Sequence, residues 1–165
     1  MKKSISGNFC AWMVLLVILT GCGGIGTPVP DGGFVRSPTD APKALVPWVD
    51  IWKGHLKNAR TSTRETVIAF RSLKDENLIQ IDYCYNPLLW IEGKYTYNDN
   101  NSGCEKPKAQ ILNDVLTLSF PNGDTAKGTL NADAKTMHVV YTSGSRKNLP
   151  LTGDLYRIDL EGKRK

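Results

Sequence analysis

Side chains able to do catalytic chemistry are few in this 165-residue chain, and they do not stand at the spacings such chemistry needs. Neither of the two histidines, His55 and His138, belongs to an H-E-x-x-H pair or has a carboxylate at ligand spacing beside it. No serine lies in a G-x-S-x-G elbow. Ser143, His138 and Asp154 could assemble as nucleophile, base and acid across neighbouring strands, an arrangement that spacing along a chain does not fix. The simpler reading makes His138 a hydrated strand residue that alternates outward with Val140 and Thr142. Glycine-rich stretches do not join a strand to a helix, so no phosphate cradle is implied. The expectation is a binding protein rather than an enzyme, with no cofactor and no metal.

Aromatic residues are the richer set. Tyr83, Tyr85, Trp90, Tyr95 and Tyr97 fall in one short span, and Trp48 and Trp52 stand some thirty residues earlier. On strands Tyr83 and Tyr85 share a face, as do Tyr95 and Tyr97. They could form a wall for sugar rings or acyl chains, or cross-strand pairs that steady a small sheet. Leu88, Leu89, Trp90 and Ile91 make an apolar run after Pro87, in a loop or short strand. Core is the favoured reading of this run, and an exposed patch meeting a partner or membrane surface is the alternative.

The amino end, MKKSISGNFCAWMVLLVILTGCGG, has the order of an export signal: Lys2 and Lys3, then an apolar stretch from Phe9 to Leu19 too short to span a bilayer. Leu19-Thr20-Gly21-Cys22 resembles the lipobox of bacterial lipoproteins. That resemblance implies a signal peptide over 1–21, diacylglycerol on the Cys22 thiol, and a mature chain beginning at an acylated Cys22. An uncut membrane anchor and an ordinary secretory cleavage are the alternatives. Several acyl chains on one residue suffice for stable anchoring. Gly23 stands where an Asp would mark inner-membrane retention, so the resemblance implies an outer-membrane anchor facing the periplasm, if the organism has two membranes.

Residues 22–46 are rich in Gly and Pro and poor in large apolar side chains, and they read as a flexible tether with an r.m.s. reach of roughly 25–30 Å. The folded domain is then 47–160, followed by a basic tail over 161–165. The formal net charge of +5 includes the two lysines of the signal. No Lys/Arg stripe remains apart from the tail, so nucleic acid is not expected as a partner. With Cys10 leaving in the signal and Cys22 taken by lipid, Cys84 and Cys104 remain in an oxidising compartment and are expected to pair. Cys84 would then end its strand beside a loop carrying Cys104, with the Cα atoms roughly 4.4–6.8 Å apart.

These residues need strands to position them. Thr66–Arg71, Leu78–Tyr85, Val115–Phe120 and Met137–Thr142 alternate or run apolar with β-branched and aromatic residues, and no amphipathic helical stripe lasts three turns. Turn residues punctuate the chain, most strongly at Pro121-Asn122-Gly123-Asp124. The fold class expected is all-β: a small antiparallel meander of about eight strands, closed as a barrel or packed as a sandwich. Leu116, Leu118 and Phe120 should be buried together with Met137, Val139 and Tyr141.

Trp52-Lys53-Gly54, the hairpin Ala109–Phe120, the run Gly123–Tyr141 and the closing strand Gly153–Leu160 resemble the calycin, or lipocalin-like, small barrels. The resemblance implies that Trp52 packs across the barrel base and that the calyx holds a small apolar ligand. Ser143-Gly144-Ser145-Arg146 is similar to the Ser-Gly loop of membrane-bound inhibitors of C-type lysozymes, although Arg146 and Lys147 replace the tyrosine of that motif. The leading expectation is a lipid-anchored, non-catalytic envelope protein. Its β domain would bind an envelope protein, a glycan or a small apolar ligand. The alternative is a periplasmic inhibitor of lysozyme or another peptidoglycan-cleaving enzyme. Candidate binding residues are Tyr83, Tyr85, Trp90, Tyr95, Tyr97, Ser143, Ser145 and Arg146.

Overall fold

The computed structural model describes Thr27, Lys43 and residues 45–60, 62–73, 79–145 and 147–158. The signal segment 1–21, Cys22, Arg146, the tail 161–165 and all of the tether except Thr27, Lys43, Leu45 and Val46 lie outside the described residues.

Among the described residues ten strands follow one another: β1 (Ile51–Lys57), β2 (Thr63–Leu73), β3 (Ile79–Ile91), β4 (Lys94–Tyr97), β5 (Gly103–Glu105), β6 (Lys108–Leu112), β7 (Val115–Ser119), β8 (Thr125–Leu130), β9 (Thr136–Thr142) and β10 (Leu151–Ile158). Every pairing is antiparallel. Eight strands run in the order β2-β1-β10-β9-β8-β7-β6-β3, and β3 pairs back onto β2, which closes the barrel. Closure removes the exposed edges that an open meander would leave. β5 adds to the middle of β3, at Tyr83 to Tyr85, and β4 to its upper end, at Leu88 to Ile91, outside the order of the eight.

Alternation selects the interior. Leu116 and Leu118 from β7 and Met137 and Val139 from β9 are fully buried, Phe120 is buried just past its strand, and Tyr141 is partly buried against the same cluster. In a barrel of eight strands the bore is just wide enough for side chains to fill it. Here Trp48, Trp52, Leu56, Ile68, Phe70 and Leu155 complete the packing.

At the base, where β1 starts and β10 ends, the turn Val46–Trp48 folds under the barrel. The Trp52 indole N–H donates to the Trp48 carbonyl at 2.9 Å, and the Arg157 guanidinium lies 4.9 Å from the Trp52 ring centroid while donating to the Pro47 carbonyl. Gly54 of the Trp-x-Gly triplet has a steric purpose. A Cβ there would lie 2.3 Å from the Asp154 carbonyl oxygen, and one on Gly153 would lie 2.1 Å from that of His55. The two glycines let β1 and β10 approach.

Turn chemistry holds with one refinement. At Pro121–Asp124 only Gly123 takes a positive φ, 84°; the Gly123 N–H closes the turn on the Phe120 carbonyl, and the Asn122 side chain accepts from the Asp124 N–H. Asn113 and Asp114 (φ 50° and 58°) link β6 to β7 in a tight two-residue hairpin.

Two expectations are corrected. Cys84 does not end its strand: it lies within β3, and Cys104 is on a strand, β5, directly opposite. The two are disulfide-bonded with Cα atoms 4.0 Å apart, closer than expected. Directly opposed antiparallel residues approach to about 4.5 Å in the close pairing position. The second correction concerns the apolar run. Leu88 is buried, but Leu89, Trp90 and Ile91 are exposed, because β2 begins at Thr63, opposite Leu88, and offers them no neighbour. From Leu89 onward β3 pairs with β4 alone and projects beyond the rim.

Candidate functional site

The upper end of the barrel gathers polar chemistry around one cation. Arg64 is the second residue of β2 and has the inward parity of Ile68 and Phe70, so its side chain turns into the mouth. It is 9 % exposed. Its guanidinium carbon lies 3.6 Å from the Tyr141 ring centroid, 5.3 Å from that of Tyr85 and 5.4 Å from that of Tyr83, and it donates to the Tyr83 hydroxyl. Phe120 completes the aromatic group, edge-on to Tyr83 at 5.0 Å and to Tyr141 at 5.8 Å. Arg64 forms no ion pair with a carboxylate among the described residues, and its Nε has no partner.

Glu105 acts on Tyr83 through its charge, and Asp124, a second anion at this end, is engaged by other donors. Its carboxylate accepts from the Tyr141 hydroxyl, from the Gly144 N–H at 2.7 Å and from the Asn122 side chain at 3.1 Å. Burial raises its pKa, and these donors outweigh burial, so the carboxyl is held below its ordinary range. Tyr141 moves the opposite way: burial and the bond to Asp124 both push its hydroxyl up. Burial likewise raises Tyr83, against the opposing pull of Arg64. Both phenols are neutral donors and acceptors at neutral pH. Through Gly144, Asp124 also fixes the Ser143–Ser145 turn on the rim, where the two serine hydroxyls lie 3.1 Å apart.

The five aromatic residues do not form one wall. Tyr83 and Tyr85 face the mouth together, their centroids 6.3 Å apart. Trp90 and Tyr95 stand exposed on the projecting hairpin, stacked edge-to-face at 4.8 Å. Tyr97 sits on the outer wall and donates to Glu65 at 3.2 Å. Glu65 also accepts from the backbone N–H of Thr27 at 2.7 Å and pairs with Lys53 at 3.2 Å. Burial raises its pKa, but the Thr27 and Lys53 contacts prevail and leave it lowered.

His138 and Asp154 do meet, at 2.8 Å, as opposed residues of β9 and β10. The pair is half exposed on the outer wall, whereas Ser143 lies past the end of β9 and bonds Ser145, so the three do not form a nucleophilic triad. Arg64 and Glu65 were not singled out from sequence, and Phe120 and Tyr141 were read there only as core and Asp124 only as a turn residue. The alternation in Thr63–Phe70, which puts Arg64 on the face of Ile68 and Phe70, was a legible signal for the first of them.

The fold and site define a closed eight-stranded antiparallel barrel with a cationic, tyrosine-lined mouth. No protein-family model, curated protein or solved structure matches the chain.

Proposed function

We propose that this chain is a non-catalytic, lipid-anchored protein of a bacterial cell envelope that holds an anionic group of a ligand or partner at the mouth of its barrel. Arg64 carries the reading. Taking a cation out of water costs several kcal/mol, and a cation–π contact returns about 2 kcal/mol when desolvated. A carboxylate or phosphate would complete the pairing that the described residues leave open, with the fork geometry to which guanidinium is suited. Because the bore is filled by side chains, binding is assigned to the mouth rather than to a deep calyx. An apolar carboxylate, an acidic glycan and an acidic loop of an envelope protein share the required group.

The anchoring half rests on Leu19-Thr20-Gly21-Cys22. Cys22→Ser should leave an uncut precursor without lipid label; unchanged size and unchanged label incorporation would sink that half. For the binding half, the Gly144 backbone N–H resonance at the mouth, present in the wild type and in Arg64→Met alike, is followed while dodecanoate or a muramyl dipeptide is added. Movement in the wild type that Arg64→Met abolishes supports the reading, and a resonance indifferent to both ligands overturns it.

The rim turn Ser143–Ser145, fixed by Asp124, favours a second reading, inhibition of a lysozyme whose catalytic carboxylates would meet the mouth. Protection of cells from lysozyme lysis by the mature protein, followed by turbidity, separates the two.

A further inference from the structure

Six large apolar side chains are exposed among the described residues, and four of them, Leu89 (45 %), Trp90 (63 %), Ile91 (45 %) and Tyr95 (49 %), belong to the hairpin formed by β3 and β4. Successive strand residues point to opposite faces, so both faces of this tip are apolar: Trp90 opposes Tyr95 on one, and Leu89 and Ile91 occupy the other. A protein partner laid against a hairpin covers one face. Immersion covers both.

Glu65 ties this hairpin to the amino end of the chain. One of its oxygens accepts from Tyr97 of β4 and the other from the Thr27 N–H. Cys22 is five residues before Thr27, a stretch of chain that cannot exceed about 18 Å whatever its conformation. The turn at Glu92-Gly93 is four residues from Tyr97, about 13 Å along the strand. A lipid on Cys22 is therefore within reach of the end of the barrel that carries the exposed tip.

We propose that the tip of this hairpin, Leu89 to Tyr95, is a second membrane contact that inserts into the interfacial layer of the bilayer in which Cys22 is anchored. This rests on the lipid-anchor reading above. Trp and Tyr are the residues that settle at headgroup level. Glu92 and Lys94 at the turn, and the outer edge of β4, which pairs with no strand among the described residues, keep the hairpin out of the hydrocarbon, where unsatisfied backbone groups are costly. The arrangement holds the mouth close to the membrane instead of leaving it on a free tether.

Tryptophan emission tests this, because Trp48 and Trp52 are fully buried and Trp90 is not. The protein as cells produce it is reconstituted into vesicles of equimolar phosphatidylethanolamine and phosphatidylglycerol, with and without bromine on the acyl chains. Bromine should quench the wild type, and Trp90→Phe should remove that quenching while leaving the buried tryptophans' emission in place. Equal emission in both vesicles from a protein that floats with them, and carries acyl chains by intact mass, overturns the proposal and leaves the anchor reading standing. Quenching that Trp90→Phe removes, in a protein without acyl chains, sustains the hairpin contact and refutes the anchor, whereas quenching that survives Trp90→Phe comes from Trp12 of an uncut signal and refutes both. A protein that neither floats nor carries acyl chains refutes both.

Discussion

Tyr141→Phe removes one hydroxyl and keeps the ring on which Arg64 rests, so it removes the bond to Asp124 together with that hydroxyl's contact with Arg64. A hydrogen bond to a charged group contributes about 1.5–3 kcal/mol. Asp124 retains the Gly144 N–H and the Asn122 side chain, which places the loss at the lower end, about 1.5–2 kcal/mol. For a domain near one hundred residues this corresponds to a Tm lower by about 6–12 °C. The loss should also depend on pH. Asp124 has a folded pKa below its ordinary value, so its contribution is complete above the unfolded carboxylate pKa of about 3.9 and disappears as pH falls through the lower, folded value. Tyr141 supplies part of that depression, so wild type and Tyr141→Phe should differ most near neutrality and converge in acid. Urea unfolding of both proteins, followed by the emission of the buried tryptophans from pH 7 downward, measures the gap directly. A gap below about 0.5 kcal/mol at neutral pH, or one that does not narrow in acid, would refute the account of Asp124 as an anion held by its donors.

Two further outcomes follow from the packing. The Cys84–Cys104 bond closes a loop with a sequence separation of 20, so replacing both with Ala should cost about 3 kcal/mol in urea unfolding; a loss under about 1 kcal/mol would mean that β3 and β5 hold together without it. Gly153→Ala should fail to give a protein with sigmoidal thermal unfolding, since its Cβ would lie 2.1 Å from a backbone oxygen that packing on β1 fixes, whereas Gly128→Ala, which meets only the flexible end of Met137 at 2.8 Å, should fold with a lowered Tm. Equal tolerance of both would show that β1 and β10 are not as close as described.

Local rules carried much of this fold. Period-two alternation around Leu116–Phe120 and Met137–Tyr141, and turn residues at Asn113-Asp114 and Gly123, specify strands, their faces and their hairpins, because each depends on residues a few positions apart. The cysteine partners followed from elimination once export was read from the amino end. What the sequence by itself did not determine lies in contacts between distant strands. Alternation is the same in a barrel and a sandwich, and only the return of β3 onto β2 decides for closure. The apolar run after Pro87 has the composition of core, yet a residue is buried only where a neighbour exists, and β2 starts too late to cover Leu89 to Ile91. Alternation puts Arg64 on the inner face of its strand, but it does not say what meets it there. It is a buried cation because Tyr83 and Tyr85 of β3 and Tyr141 of β9 converge on it across the mouth, a juxtaposition that exists only once the ring has closed.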